Sequence, residues 1–338
     1  MKAISIKNAL NLGNKIFVDV RCEKEFNEDK IIGAINLPIL NTDERKEVGT
    51  LYKICKEKAF FLGINYYSKK LPLLTQKIKK IDKKKNIIVY CFRGGTRSKT
   101  ITHLFEFLGF NVYQLEGGYK AYRHFIIDYF ANFNVNFNFI VLYGLTGCGK
   151  TKIINLLKNS IDIENVANHR SSLFGGIGLK PNSQKMFESL LFYNLNKLND
   201  NSYIFIEGES RKIGNVVVPE KLYSHIKSGI NILIKANLEF RKKITVEEYF
   251  KEEYISEIKK VVLLLKQKLG KKKIDEILNN IEKNNYLKSA EILLTKYYDP
   301  LYEYTINNQK YDYIIEKNNI DEFVFKLDEI YESLKKIK

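Results

Sequence analysis

The chain has 338 residues, which at about 150 residues per domain predicts two domains rather than a single small module. Hydrophobic residues make up 45% and charged residues 28%, so a disordered, collagen-like or disulfide-scaffold protein is excluded. A formal net charge of +17 favours an anionic partner such as nucleic acid, although a lysine-rich composition alone explains it equally well. Only 8 arginines stand against 48 lysines, so a site that needs a bidentate guanidinium should be marked by arginine.

The sequence contains no run of 18 apolar residues and no apolar leader block, so we expect a cytoplasmic protein with no membrane partner. Its four cysteines, Cys22, Cys55, Cys91 and Cys148, show no Cys-x-x-Cys spacing. The sequence therefore indicates neither a zinc site nor a disulfide framework, and we predict no metal-binding set. Each cysteine is considered as a thiol.

The first 131 residues alternate short apolar strands with helices, which predicts a parallel-sheet α/β domain. The predicted elements are strands at 16–20, 87–90 and 112–115, a helix capped by Ser98 and ending before Gly109, and a helix through 122–129. Asn and Phe then alternate over residues 132–138, which indicates a linker that merges into the next strand.

A second alternation of strands and helices begins at the strand 139–143 and predicts a P-loop NTPase-like α/β domain with a helical C-terminal addition. Its segments are a phosphate-binding core at 132–240, a helical appendage at 241–310, and a final strand and helix at 311–338 that return to the core. Apolar and aromatic residues recur at helical spacing in one run from 249 to 269, which favours packing over base stacking.

A reactive cysteine is predicted in residues 91–98, which read Cys-Phe-Arg-Gly-Gly-Thr-Arg-Ser between a strand and a helix. Loop amides and the helix dipole favour a thiolate at this position. The two glycines let the loop N–H groups form an anion nest, and Arg93 and Arg97 can hold oxyanions. We therefore predict a catalytic Cys91 that is assisted by Arg93 and Arg97.

Cys-x5-Arg is also the spacing of cysteine-dependent phosphatases, so a phosphatase competes here with sulfur or selenium carriage. Tyr90 stands where protein tyrosine phosphatases place a His, and no acid-bearing loop is evident. Residues 19–21 (Asp-Val-Arg), 25–26 (Glu-Phe) and 33–38 (Gly-Ala-Ile-Asn-Leu-Pro) make residues 1–130 resemble the rhodanese family, with Cys91 at its persulfide position. Departures are Lys30, where many members carry His, and a loop one residue longer than Cys-x4-Arg.

A phosphate-binding loop is predicted in residues 144–151, a complete G-x-x-x-x-G-K-T between a strand and a helix. Its amides should cradle phosphates, Lys150 should neutralise them, and Thr151 could hold a metal if the reaction uses one. The predicted phosphate-binding residues are Gly144, Thr146, Gly147, Cys148, Gly149, Lys150 and Thr151. Cys148 is expected to contribute its backbone rather than its thiol.

Phosphate binding alone leaves a kinase open, since Glu207 follows a strand as a Walker B acid does, and residues 238–241 resemble an arginine-bearing kinase segment. The combination of motifs is more specific. The further motifs are Glu44-Arg45, Val-Gly-Thr-Leu-Tyr-Lys at 48–53, Glu-Gly-Gly-Tyr-Lys-Ala at 116–121, His-Arg-Ser-Ser-Leu-Phe-Gly at 169–175, Glu-Gly-Glu-Ser-Arg-Lys-Ile-Gly at 207–214 and Tyr-Asp-Pro-Leu-Tyr at 298–302. With them, residues 15–302 resemble the tRNA 2-selenouridine synthase family, with Phe92 and Ser171 as small departures.

This resemblance implies a transferase that acts on tRNA with 2-thiouridine at the wobble position. The sulfur is first geranylated by geranyl diphosphate, and selenium from selenophosphate then replaces the geranylthio group to give 2-selenouridine. These two co-substrates are implied without a tightly bound cofactor, a selenophosphate-supplying enzyme is a further partner, and a need for Mg²⁺ stays open. The alternative is a sulfur-carrier rhodanese fused to an ATP-dependent small-molecule kinase.

Five motif residues are additional site candidates: His169, Arg170, Glu207, Glu209 and Arg211. We expect the two arginines to face phosphate near the P-loop and the glutamates to position them or a base, with salt bridges between these residues as the structural alternative. His169 is equally well explained as a satisfied polar contact or as an acid or base.

Most of the positive charge lies in residues 1–130, which hold 24 basic and 13 acidic residues, against 12 and 8 in 131–240 and 20 and 18 in 241–338. A lysine run supplies much of this excess. The predicted tRNA-binding residues are Lys69, Lys70, Lys77, Lys79, Lys80, Lys83, Lys84 and Lys85. A solvated lysine-rich face explains the run equally well.

Overall fold

Two parallel sheets, one in each half of the chain, organise the structure. The computed structural model describes residues 1–198 and 202–337, and these fall into two compact units. The first unit comprises residues 1–132 together with 188–190, and the second comprises the rest of the described chain. Within the described ranges, no helix combines the length and the apolar character that crossing a bilayer requires.

The first unit is built on five parallel strands in the order β1-β5-β4-β2-β3. These are β1 (Lys2–Ile4), β2 (Lys15–Asp19), β3 (Ile35–Asn36), β4 (Asn86–Tyr90) and β5 (Val112–Leu115). The inner strands β2 and β4 are the apolar runs predicted from the sequence, and a strand covered on both faces needs this character. Cys91 therefore leaves the sheet at the carboxyl end of a central strand.

Six helices cover this sheet: α1 (Ile6–Asn11), α2 (Glu23–Glu28), α3 (Thr42–Ile54), α4 (Lys56–Lys79), α5 (Thr96–Phe107) and α6 (Gly118–Ala131). The N-cap of helix α5 is Gly95, three residues before the predicted cap Ser98. The prediction of Ser98 as the cap is therefore wrong. Ser98 lies buried in the first turn, where its hydroxyl donates to the Gly95 carbonyl at 3.0 Å.

The second unit contains a parallel sheet in the order β12-β11-β6-β8-β7 and a separate two-stranded hairpin, β9-β10. Its strands are β6 (Asn138–Tyr143), β7 (Ser160–Ile161), β8 (Tyr203–Glu207), β9 (Lys212–Ile213), β10 (Val216–Val217), β11 (Ile230–Lys235) and β12 (Tyr313–Glu316). The central strand β6 leads directly into the glycine-rich loop at 144–149. Phe323 and Leu327, near the end of the chain, pack into the core below this sheet.

The helices of the second unit are α7 (Lys150–Leu156), α8 (Ile163–Ala167), α9 (Gln184–Leu198), α10 (Glu220–Lys227), α11 (Leu238–Tyr249), α12 (Ile255–Leu264), α13 (Lys266–Leu269), α14 (Lys271–Glu282), α15 (Tyr286–Leu293), α16 (Asp299–Asn308) and α17 (Ile320–Ile337). A 3₁₀ turn at Glu252–Tyr254 precedes α12, and a π-helical turn at Leu294–Tyr298 precedes α16.

The helical region from α11 to α16 has its own apolar core. Phe250, Ile258 and Leu265 are buried in it, so the prediction that the stripe at 249–269 serves packing is confirmed. The prediction of one continuous helical run is wrong, because Phe250 leaves the helical conformation and turns the chain into the 3₁₀ segment. Phe174 joins the same core, so the motif at 169–175 is packed against these helices.

Candidate functional site

Cys91 lies at the start of a tight loop whose polar groups converge on its sulfur. The Gly95 N–H donates to Cys91 Sγ at 3.2 Å, and Ser98 Oγ lies 3.3 Å from the same atom. The Cys91 residue is only 3% exposed. Successive backbone N–H groups in such a turn form a concavity that favours a negative charge. The Gly95 N–H is the one that the structure directs at the sulfur, and anion binding by this loop stays a prediction.

Residues 114–119 hold the cysteine loop through hydrogen bonds to its backbone carbonyls. The Tyr119 N–H donates to the Cys91 carbonyl at 2.8 Å, and the Gln114 side chain donates to the Gly94 carbonyl at 2.7 Å. Gly118 has a φ of +59°, and a Cβ there would stand 2.3 Å from the Cys91 carbonyl oxygen. A side chain cannot fit at that position, so the second glycine of the motif at 116–121 is required by close backbone approach.

Arg97 and Arg93, the two arginines predicted to hold oxyanions, have different surroundings. Arg97 Nη1 lies 3.2 Å from Glu25 Oε2, and Arg45 Nε lies 3.8 Å from the same oxygen. Burial tends to raise the pKa of Glu25, but Arg97, Cys22 and Arg45 outweigh it and hold that pKa below its usual value. Arg93 is exposed, with its guanidinium 5.9 Å from the Phe92 ring. Two arginines thus converge on one carboxylate beside the loop.

The Asp-Val-Arg motif at 19–21 supports the cysteine loop through Tyr119. Arg21 forms a buried ion pair with Asp19 at 2.6 Å, and its guanidinium stacks 3.8 Å from the Tyr119 ring. The Tyr119 hydroxyl in turn donates to Asp29 at 2.7 Å. Since Tyr119 also bonds the Cys91 carbonyl, this network supports the cysteine loop without touching the sulfur.

The glycine-rich loop at 144–149 has the curled form of a phosphate cradle. Gly147 and Gly149 have φ values of +82° and +80°, and a Cβ on Gly147 would lie 2.6 Å from the Arg241 carbonyl oxygen. Lys150 Nζ donates to the Gly144 carbonyl at 2.9 Å across the loop. Cys148 points into the core beneath the sheet, and burial raises the pKa of its thiol. The thiol is thus buried, and the backbone role of Cys148 in phosphate binding stays a prediction.

Carboxyl groups surround Lys150. Thr151 Oγ1 donates to Glu207 Oε1 at 2.8 Å, while Glu207 Oε2 is buried and has no hydrogen-bond partner among the described residues. Burial, followed by neighbouring carboxylates, raises the pKa of Glu207 and of Glu164. Burial opposes the charge of Lys150, but Glu209 and the other carboxylates outweigh it and raise the pKa of this amine. The lysine therefore stays charged.

His169 connects the motifs at 169–175 and 207–214. Its Nδ1 accepts the Ser171 N–H at 3.1 Å. The ring packs so closely against Gly175 and Gly214 that a Cβ on either glycine would lie within 2.8 Å of it. Burial, with help from Arg170, lowers the pKa of this imidazole. The structure thus presents His169 as a packed polar contact between two glycines.

Arg170 and Arg211 pair away from Glu207 and Glu209. Arg170 donates to the Ile177 carbonyl at 3.1 Å, and Arg211 forms an ion pair with Glu220 at 2.9 Å. The alternative of salt bridges between these arginines and the motif glutamates is therefore wrong for the described residues, because Arg170 bonds a backbone carbonyl and Arg211 pairs with Glu220 instead. The two glutamates instead act on Lys150, whose pKa they help to raise.

Arg241 contacts the P-loop and is paired with Asp299, and neither residue was among the predicted site residues. Arg241 is 4% exposed; its Nε donates to the Thr146 carbonyl at 2.8 Å, and its Nη1 lies 3.1 Å from Asp299 Oδ2. Both residues lie in segments that stood out in the sequence, 238–241 and 298–302. The sequence signal that could have found Arg241 was the scarcity of arginine, since the chain has only 8 and this one lies in the segment 238–241.

The fold and the two loops define a rhodanese-like cysteine domain joined to a P-loop domain with a helical C-terminal region. A rhodanese-like domain model matches residues 3–124, and a tRNA 2-selenouridine synthase AAA domain model matches residues 137–330. The chain is 33% identical to a tRNA 2-selenouridine synthase of Hydrogenovibrio crunogenus over 88% of this chain and 91% of that one. The corresponding enzyme of Nitrosomonas europaea is 37% identical over 71% of this chain and 65% of its own length. The chain belongs to the tRNA 2-selenouridine synthase family.

Proposed function

We propose that this protein is a tRNA-modifying transferase that converts wobble 2-thiouridine into 2-selenouridine in two steps. The thiouridine sulfur first attacks the C1 carbon of geranyl diphosphate, and the diphosphate leaves. The selenium of selenophosphate then adds at C2 of the modified base, geranylthiol leaves, and water cleaves the selenium–phosphorus bond to release phosphate. The observation that carries this proposal is a phosphate cradle and a cysteine nest in one chain of this family.

The P-loop suits the first step. A departing diphosphate gathers negative charge, which preorganised amides and a fixed cation stabilise best. The curled loop at 144–149 supplies the amides, and Lys150 supplies a cation that its surrounding carboxylates keep protonated. No tightly bound cofactor is required, because both co-substrates carry the groups that are transferred.

A Mg²⁺ ion fits beside this loop. Thr151 and Glu207 would hold it, since they are bonded to each other and the second Glu207 oxygen is buried without a partner. Within residues 1–198 and 202–337, no three His, Cys, Asp or Glu side chains form a metal-holding set, so water and diphosphate oxygens would complete the coordination. Such an ion supplies charge neutralisation to the leaving group.

The cysteine loop suits the second step. The Gly95 N–H, which donates to Cys91 Sγ, favours an anion at this loop. We propose that Arg93 and Arg97 hold the selenophosphate oxyanions while the Cys91 thiol places the selenium next to C2 without forming a bond to it. Arg97 would have to share its guanidinium with Glu25 or leave it when the anion binds. An enzyme that makes selenophosphate is the proposed supplier.

The lysine run is the proposed contact for tRNA phosphates. Lys70 pairs with Glu44, and Lys83 donates to the Leu108 carbonyl, so these two are held locally. Lys85, in the turn after α4, is partly buried, and the other five are exposed: Lys69, Lys77, Lys79, Lys80 and Lys84. Exposed, unpaired lysines bind phosphate with displacement of counterions.

The deciding experiment supplies the full-length protein with a tRNA that carries 2-thiouridine, then geranyl diphosphate, then selenophosphate. Mass spectrometry of the released nucleosides should show the geranyl adduct after the first addition and 2-selenouridine after the second. An unchanged 2-thiouridine at both stages, with folded protein, would refute the proposal. ATP hydrolysis at a useful rate without tRNA would support the kinase alternative.

A further inference from the structure

We infer that the turn at Tyr298–Asp299 positions the P-loop through Arg241, so that the helical region controls how tightly the loop holds a diphosphate. The inference rests on the proposed function, because it concerns the proposed diphosphate site. The turn belongs to the motif at 298–302, to which neither proposed chemical step assigns a role.

Arg241 contacts the P-loop with two different groups. Its side-chain Nε donates to the Thr146 carbonyl at 2.8 Å. Its backbone carbonyl oxygen packs so closely against Gly147 that a Cβ on that residue would lie only 2.6 Å away. The remaining guanidinium nitrogens meet both carboxylate oxygens of Asp299. One planar fork thus joins the middle of the loop to the first residue of α16.

The position of Asp299 is itself constrained. The π-helical turn Leu294–Tyr298 comes immediately before it, and π turns are rare and concentrate at functional sites. Tyr298 is buried, and its hydroxyl lies 3.2 Å from Ser172 Oγ in the motif at 169–175. Asp299 therefore connects to the P-loop through Arg241, and the adjacent Tyr298 contacts the motif at 169–175 directly.

A buried ion pair of this kind adds little net stability compared with apolar residues of the same size, because both charges lose their hydration. Its value lies in geometry, since a guanidinium fork fixes direction in a way that a lysine ammonium cannot. The atom that it fixes is the carbonyl of Thr146, inside the loop whose N–H groups must point at phosphate. Arg241 and Asp299 are therefore positioning residues.

The test compares Arg241→Lys and Asp299→Asn with Lys242→Gln as the matched control. Lys242 lies on the same helix and pairs with Glu239 and with Glu291 on α15, but it does not contact the loop. Calorimetry with inorganic pyrophosphate should show binding about tenfold weaker in each positioning variant, as expected when a buried charged hydrogen bond is lost. The KM for geranyl diphosphate should rise in parallel, while Lys242→Gln stays at the wild-type values.

The double variant should bind pyrophosphate no more weakly than the worse single variant, because both changes break one link. Additive losses, or single variants that bind like the wild type, would overturn the inference. A wild-type protein that fails to bind pyrophosphate would instead remove the diphosphate site itself, and the inference with it.

A measurement on the unaltered protein covers the case in which the variants do not fold. Amide hydrogen exchange with and without pyrophosphate should show slower exchange at residues 144–149 and also at 298–302. A merely structural ion pair would leave the second segment unchanged. Protection confined to the loop would therefore contradict the inference.

Discussion

The cysteine loop and the P-loop have the same outline, a strand that ends in a glycine-bearing turn before a helix, but they are held in place differently. Backbone groups of Tyr119 and Gly118 support the cysteine loop at close range. A charged side chain, Arg241, supports the P-loop through Thr146. The first loop is therefore held by the backbone of a second motif, residues 116–121, whereas the second loop depends on the side chain of Arg241, which reaches Asp299, 58 positions further along the chain.

The charges around the two loops also differ. Arg97 and Arg45 share one carboxylate, and the pKa of Glu25 is lowered as a result. Lys150 stands among several carboxyl groups, and the pKa values of Glu207 and Glu164 are raised. An excess of cations suits direct binding of an anion at Cys91. An excess of carboxyl groups suits a diphosphate that arrives with a metal ion or with protons.

The largest effect should come from Cys91→Ser, which separates the two loops functionally. Selenation should fall by about a thousandfold or more, because a hydroxyl cannot replace a thiol that handles selenium. Geranylation should remain, and nucleoside mass spectrometry measures both. Cys55→Ser in the same unit is the control. Intact selenation in Cys91→Ser, with geranylation also intact, would remove the proposed role of Cys91.

The converse change is Lys150→Gln. Loss of the loop cation should slow geranyl transfer by about a hundredfold, since it acts on charge that develops as the diphosphate leaves. Selenation of a tRNA that is already geranylated should proceed at the wild-type rate, which single-turnover assays can test. Lys152→Gln, which removes only an exposed pair with Glu247, is the control. Equal losses in both steps would show that the loops do not divide the chemistry.

A smaller effect is expected from Lys84→Gln combined with Lys85→Gln. Binding of tRNA should weaken, and the slope of log affinity against log salt should fall by about 0.9 for each lysine that meets a duplex phosphate. The matched control is Lys271→Gln combined with Lys272→Gln, which removes the same charge from exposed positions in the other unit. The same slope in both double variants would indicate that the lysine run is only a solvated face.

The smallest effect concerns pH. The pKa of Glu25 is lowered in the folded state, so its stabilising contribution is present above the unfolded value of 4.5 and is lost as pH falls through the folded value. The melting temperature of Glu25→Gln should therefore decline less than that of the wild type between about pH 6 and 3. Glu23→Gln, an exposed residue on the same helix, is the control. Parallel curves for all three proteins would contradict the assignment of Arg97 and Arg45 to Glu25.

Much of the fold was predictable because its signals are local. The strands β2, β4, β5 and β6 are short apolar runs, and the carboxyl ends of β4 and β6 lead into the two loops. The ends of the helices were less predictable from the sequence. Ser98 has the chemistry of a cap, yet the N-cap is Gly95, three residues earlier. The run from 249 to 269 breaks at Phe250, which leaves the helical conformation and is buried in the core.

By itself the sequence determined the positions of the two loops, since each is a contiguous segment in which a strand, glycines and a helix follow one another. Only the tertiary structure decided the partners of the charged residues. The ion pairs are Arg97 with Glu25, Arg211 with Glu220, and Arg241 with Asp299. Such pairs form between segments that the sheet order brings together, and a charged side chain carries no local mark of its partner. The loops are therefore readable in the sequence, whereas what holds them is a property of the folded chain.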